Sequence, residues 1–178
     1  MSDWLVVRPA VPGDADALVV LGRDVAAEPE LWLTYDRTRG DERRNVRGVQ
    51  RDANVAVFVA ETQDGVVGRL SIARDRSPLS RHVAELGLMV AASERRRGIG
   101  SALIEEAARW ARGIGVVKLE LTVFPHNAPA IALYRKLGFR EEGLLRRRYL
   151  IDGRYMDAML MGLDLDSPRE KSGARRAP

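Results

Sequence analysis

The 178-residue sequence predicts a mixed α/β domain with a mostly antiparallel central sheet and flanking helices. Three observations carry this expectation. Two β-rich runs meet at Asp64-Gly65, a dipeptide that favours a tight hairpin turn, and two more meet at Asp152-Gly153. Between the two hairpins, from His82 to Phe139, strand and helix patterns alternate, which implies right-handed crossovers and parallel pairing inside an otherwise antiparallel sheet. Apolar residues make up 46% and charged residues 30% of the chain, ordinary values for one soluble domain with a real core. They exclude a wholly disordered or collagen-like chain.

The elements follow in order. Trp4 to Arg8 reads as a first strand, and Pro12-Gly13-Asp14 opens a helix through Leu18, Leu21 and Val25. Pro29 to Asn54 is the least regular stretch, with Trp32 and Tyr35 among charges and a helix expected from Asp41 to Arg51. Such a segment suits the cover of an acceptor site. Val55 to Glu61 and Val66 to Ala73 form the first hairpin, and His82 to Val90 the next strand. Helical periodicity then takes over: Ile99, Leu103, Ala107, Trp110, Ala111 and Ile114 share one face, and Glu105, Glu106, Arg109 and Arg112 the other, with Gly113 as C-cap. Val116 to Phe124 is a strand. Asn127 can N-cap a helix from Ala128 to Leu137, with Pro129 in its first turn and Gly138 at its end. Phe139, Leu144 to Ile151 and Tyr155 to Leu163 supply the closing strands. The domain is expected to span residues 1–166, followed by a disordered basic tail, 167–178.

Composition removes several chemistries. Zero cysteine excludes thiol nucleophiles, disulfides and thiolate metal sites, and two histidines leave little for any metal centre. No metal is expected. The net charge is +4, of which the tail contributes +3 through Arg169, Lys171, Arg175 and Arg176 against Glu170. The body is therefore nearly neutral, and neither a nucleic-acid nor a membrane partner is expected. No run approaches the length of a spanning helix and the start resembles no leader, so the expected location is cytoplasmic.

Two segments carry chemistry. Arg95-Arg96-Arg97-Gly98-Ile99-Gly100 lies between a strand and a helix, where a glycine turn points successive backbone N–H groups outward and the helix dipole favours an anion such as a pyrophosphate. A dinucleotide fingerprint would need a small residue at Leu103, and a P-loop would need Gly-Lys-Ser/Thr; both are missing. Asn127 and Tyr134 are seven residues apart, two helical turns, and project from one face. The phenol can donate a proton to a leaving thiolate and the amide can hold a peptide-like ligand. Capping by Asn127 and core packing by Tyr134 explain the same spacing without function.

Taken together, Arg95, Gly98 and Gly100 fill a Q/R-x-x-G-x-G/A pattern, and the segment from Asn127 to Phe139 stands at the expected distance behind it. This chain resembles the GNAT superfamily of acyl-CoA-dependent N-acetyltransferases. The resemblance runs from about Trp4 to Asp166. It implies a sheet with a splayed pair of parallel strands, and acetyl-CoA as co-substrate. By the same resemblance, the backbone around Leu88, Met89 and Val90 would pair with the pantetheine arm, amides from Arg96, Arg97, Gly98, Ile99, Gly100 and Ser101 would grip the pyrophosphate, and Asn127 would contact pantetheine. Tyr134 would protonate the departing thiolate, and direct attack by an amine would need no cysteine. Homodimers are common among similar enzymes.

A base must still take the proton of the acceptor amine. Glu85 is the first choice, because it shares a strand face with Gly87 and Met89 near the thioester end; Glu120 and a water relay are the alternatives. Thr122 stands where the related N-terminal alanine acetyltransferases of ribosomal proteins carry a glutamate, which counts against a protein N-terminus as acceptor. His82 and His126 flank the region as polar structural residues. The segments around Glu85, Glu120 and Asp152-Gly153 look most like the enzymes that acetylate free L-amino acids and analogues such as phosphinothricin. A small-molecule amine acceptor is therefore expected, with protein N-terminal or lysine acetylation, or coenzyme A sensing without turnover, as alternatives.

Overall fold

The computed structural model describes residues 5–31 and 35–166. Trp4, Trp32 and the basic tail 167–178 lie outside them. Seven strands form one sheet: β1 (Val6–Pro9), β2 (Val55–Thr62), β3 (Gly65–Arg74), β4 (Val83–Val90), β5 (Lys118–Val123), β6 (Arg140–Ile151) and β7 (Arg154–Asp164). Their order is β1-β2-β3-β4-β5-β7-β6, and β4 with β5 is the one parallel pair. The helices are α1 (Ala15–Ala26), α2 (Arg39–Val49), α3 (Ile99–Gly113) and α4 (Ala128–Lys136). The mixed α/β sheet expected from the hairpin and crossover signals is present.

Local chemistry sets the boundaries. The α2 helix starts two residues before the expected Asp41, because Thr38 is its N-cap: Thr38 Oγ1 accepts from the Asp41 N–H at 3.2 Å while the Asp41 carboxylate accepts from the Thr38 N–H at 3.0 Å. Gly113 is the last residue of α3 rather than its cap, and the left-handed residue beyond it is Gly115 at φ +78°. β6 begins at Arg140, four residues before the expected start, since pairing with β7 starts at Arg140 and Gly162.

Strand alternation sorts the sheet into two faces. On one, Gly68, Leu70 and Ile72 of β3 lie beneath α3, whose Ile99, Leu103, Ala107 and Ala111 are buried with Leu119 and Leu121 of β5. A Cβ at Gly68 would stand 3.0 Å from Leu103 and 3.1 Å from Ile99, so the glycine sets how closely α3 approaches. On the other face, Val57 and Val59 of β2 pack with Leu18 of α1 and Val46 of α2. On this face α1 packs against β3 and β4, and α2 against β2.

Candidate active site

The parallel pairing of β4 and β5 covers three rungs, Val83 with Lys118, Ala84 with Leu119 and Glu85 with Glu120, although the strands continue to Val90 and Val123. β4 stays paired with β3 through Val90. Beyond Glu85 the strands therefore diverge, and the backbone groups of Leu86 to Val90 that face β5 have no ladder partner among the described residues. Exposed backbone of this kind is a template for an extended ligand carrying amide groups. Leu88, Met89 and Val90, singled out from the sequence, are half-buried along this gap.

The glycine turn follows β4 directly. Gly98 is the N-cap of α3 at φ +86°, Arg96 sits at φ +62°, no side chain caps the helix, and no acidic residue occupies its first turn. The Ala102 N–H closes the first intrahelical bond on the Gly98 carbonyl at 3.0 Å, so the N–H groups of Ile99, Gly100 and Ser101 point out of the helix end without helical acceptors. Gly98 serves conformation, since a Cβ there would meet nothing within 4 Å; Gly100 serves space, since its Cβ would lie 2.9 Å from Leu133 of α4. The arginines divide. Arg96 is exposed, and Arg97 pairs with Glu94 at 2.7 Å. Arg95 faces the protein: it grips Glu28 through both terminal nitrogens, at 2.7 and 2.5 Å, and donates through Nε to the Val90 carbonyl at 3.1 Å. It fixes the end of β4 against the segment after α1.

On α4, Asn127 Oδ1 accepts from the Ala130 N–H at 3.2 Å, the N-cap anticipated from the sequence. Tyr134 is 7% exposed and belongs to the apolar cluster that Leu88 and Val90 pack against, with its ring 5.7 Å from that of Phe139. Burial pushes its phenol up to about 12. The group is thus protonated and able to donate throughout the neutral range.

The sheet face that carries α1 and α2 holds a cleft of about 380 Å³ lined by Val55, Ser71, Ala73, Glu85, Gly87 and Thr122. The structure separates the two candidate bases. Glu120 is tied to Lys118 at 3.0 Å, and Lys118 also reaches Glu142 at 2.8 Å. Glu85 is exposed to the cleft and makes no hydrogen bond or ion pair among the described residues. It occupies the last paired rung, where the strands part. His126 donates through Nε2 to the Glu30 carbonyl at 2.7 Å and stacks on Phe124, as a framework residue would.

Two features escaped the sequence. Tyr149 of β6 places its hydroxyl 2.8 Å from Thr122 Oγ1 on the cleft wall. On α2, Glu42 is fully buried and accepts from Tyr35 at 3.0 Å, Arg37 at 3.2 Å and Asn45 at 3.3 Å, and pairs with the buried Arg69 of β3 at 3.3 Å. Burial and the Glu42 carboxylate push the Tyr35 phenol up to about 12. Alternation along β3 would have revealed Arg69 as a charge among core-facing neighbours; its partner, 27 positions away on another element, leaves no local trace.

Known proteins agree with this geometry. The family described as Acetyltransferase (GNAT) family matches residues 23–139. L-amino acid N-acetyltransferase AaaT of Escherichia coli K12 is 34% identical over 162 residues, covering 88% of this chain and 96% of the relative. Two crystal structures superpose closely. An acetyltransferase of the GNAT family from Streptococcus pneumoniae gives a TM-score of 0.81 at 29% identity over 90% of this chain and 99% of its own. A ribosomal-protein-alanine N-acetyltransferase from Brucella melitensis gives 0.80 at 30% identity over 89% and 99%. With its splayed strands, uncapped glycine turn and family match, the chain belongs to the GNAT family and is an acetyl-CoA-dependent N-acetyltransferase.

Proposed function

We propose that the acceptor is the amine of a free L-amino acid or a close analogue, with Glu85 as base and Tyr134 as general acid. The observation that carries this reading is the unpaired Glu85 carboxylate at the rung where β4 and β5 part, facing a cleft of about 380 Å³. That volume lies near the lower end of small-ligand sites, which run from roughly 300 to 1,000 Å³. The likeness to a relative named for L-amino acids supports the same acceptor class.

In this reading the β4 edge from Leu88 to Val90 bonds the pantetheine amides, and Asn127 contributes its amide nitrogen beside them. The outward N–H groups of α3, with Gly98 allowing the turn, hold the pyrophosphate at the positive end of the helix dipole. Arg96 and Arg97 add charge at its rim, and Arg95 keeps the end of β4 in place. Glu85 accepts a proton from the ammonium form of the acceptor, which titrates well above neutrality. The freed nitrogen pair attacks the thioester carbonyl, a C–N bond forms, the C–S bond breaks, and sulfur leaves with its electron pair. Tyr134 donates its proton to that sulfur and is reprotonated from water, while Glu85 releases the captured proton to solvent.

The likeness to a ribosomal-protein-alanine acetyltransferase favours a second acceptor, a peptide amino terminus. Thr122, in place of a carboxylate, speaks against it. The test is release of free thiol from acetyl-CoA with a panel of L-amino acids, methionine sulfone, phosphinothricin, spermidine and an alanine-starting peptide. Turnover of amino acids above the peptide is the expected result; turnover of the peptide alone would transfer the assignment to protein acceptors.

A further inference from the structure

We propose that Tyr149 contacts the acceptor and selects it by its side chain, favouring amines with a large apolar substituent. The proposal rests on the reading above only in placing an amine in the cleft beside Glu85. Tyr149 belongs to the outermost strand, with β7 between it and β5. Its hydroxyl nevertheless reaches Thr122 Oγ1 on β5 at 2.8 Å, and its ring meets the edge of Phe124 at 5.6 Å.

A local deformation makes this reach. Leu145 pairs with Ala158 and Tyr149 with Met156, so four steps along β6 oppose two along β7. Within the extra turn of chain Arg147 takes φ +54°, and its N–H donates to Asp157 Oδ1 at 2.7 Å. A left-handed conformation at a residue with a side chain costs about 1–2 kcal/mol, and bulges of this kind re-aim side chains and cluster beside active sites. Blunting an edge strand would explain a bulge, but not one whose product is an inward hydroxyl contact across a neighbouring strand.

What the bulge delivers is an aromatic wall. Tyr149 keeps 37% of its surface exposed, Phe124 lies against it, and His126 stacks on Phe124 at 5.5 Å. The Thr122 bond fixes the angle of the phenol. Glu85 and Gly87 line the cleft on the β4 side and Thr122 on the β5 side. Tyr149 stands behind Thr122, one hydrogen bond from the cleft lining, and in this proposal an amine with its nitrogen at Glu85 carries its substituent across Thr122 to that ring.

The test compares kcat/KM for L-phenylalanine and L-leucine with that for L-alanine, at saturating acetyl-CoA, in the wild type, Tyr149→Ala and Thr122→Val. The expected result is a large-to-small preference in the wild type that falls about 10-fold in Tyr149→Ala through a raised KM for the larger amines, and falls partway in Thr122→Val. Thr122→Val, which keeps the ring and releases its hydroxyl, decides the matter should Tyr149→Ala fail to fold. An unchanged preference, or an equal loss on all three amines, would overturn the proposal. The same loss of preference on peptides or arylalkylamines, with amino acids inert, would sink the amino-acid reading and keep Tyr149. No turnover of any amine by the wild type would overturn both.

Discussion

Replacing Tyr134 with Phe separates chemistry from packing, because the structure gives its hydroxyl and its ring different work. The ring is part of the core and lies 5.7 Å from Phe139; the hydroxyl makes no hydrogen bond among the described residues. Losing the oxygen leaves no partner unpaired, so stability at pH 7 should change by less than about 1 kcal/mol. The rate should fall by roughly 10²–10⁴, the span typical of a positioned proton donor, while the Kd for acetyl-CoA stays within about twofold. Alkaline titration supplies a second signature. The folded-state value of about 12 exceeds the reference value of about 10, so the folded protein holds this proton more tightly than the unfolded chain. The stabilisation is complete below pH 10 and is lost as pH rises to 12, by about 3 kcal/mol across the window. Tyr35 is shifted in the same direction and keeps its contribution in the variant. Urea unfolding between pH 9 and 12 should thus show a shallower loss in Tyr134→Phe than in the wild type. A full rate in Tyr134→Phe would refute the general-acid role, and an identical alkaline loss would refute the burial argument.

Other perturbations test the remaining parts. Glu85→Gln should move the low-pH limb of the kcat/KM profile upward in pH, since only the already neutral amine can then attack; an unaltered profile would hand the base role elsewhere. Glu42→Gln leaves Arg69, 6% exposed and with Nε unpartnered, as a buried cation short of its counter-charge. That should cost about 3–5 kcal/mol, a drop in Tm of roughly 6–20 °C for a chain of this size, and a drop under 2 °C would show the pair to be dispensable. Gly100→Val pushes a branched side chain into Leu133, 2.9 Å from the Cβ position, and should weaken acetyl-CoA binding at least tenfold by prising α3 from α4. Calorimetric titration reads that loss directly, and an unaltered Kd would mean that α3 and α4 adjust freely.

What the sequence disclosed follows the range of the interactions involved. The hairpin at Asp64-Gly65, the glycine turn before α3 and the Asn127 cap rest on contacts a few residues long, and each stands where its residues indicate. The sequence favours Glu85 over Glu120 through the space beside Gly87; the Lys118–Glu120 ion pair, between positions that share one face of a strand, adds an independent reason. Arg95 filled a motif position whose side chain turns inward to Glu28, 67 positions away, so the motif indicated the place and not the contact. Tyr149 was invisible for a different reason. Strand alternation assigns a face only while the register is regular, and the chain slips its register by two residues just before that tyrosine.

The most direct measurement of the central claim is the stoichiometry of the two products. Incubating the protein with acetyl-CoA labelled in the acetyl group and one L-amino acid, then quantifying free thiol and labelled N-acetyl amino acid by mass spectrometry, asks whether the acetyl group passes to the amine of an amino acid. The account predicts one N-acetyl amino acid for every thiol released. Thiol release with the label recovered as acetate, or no thiol release with acetyl-CoA still bound, would contradict it.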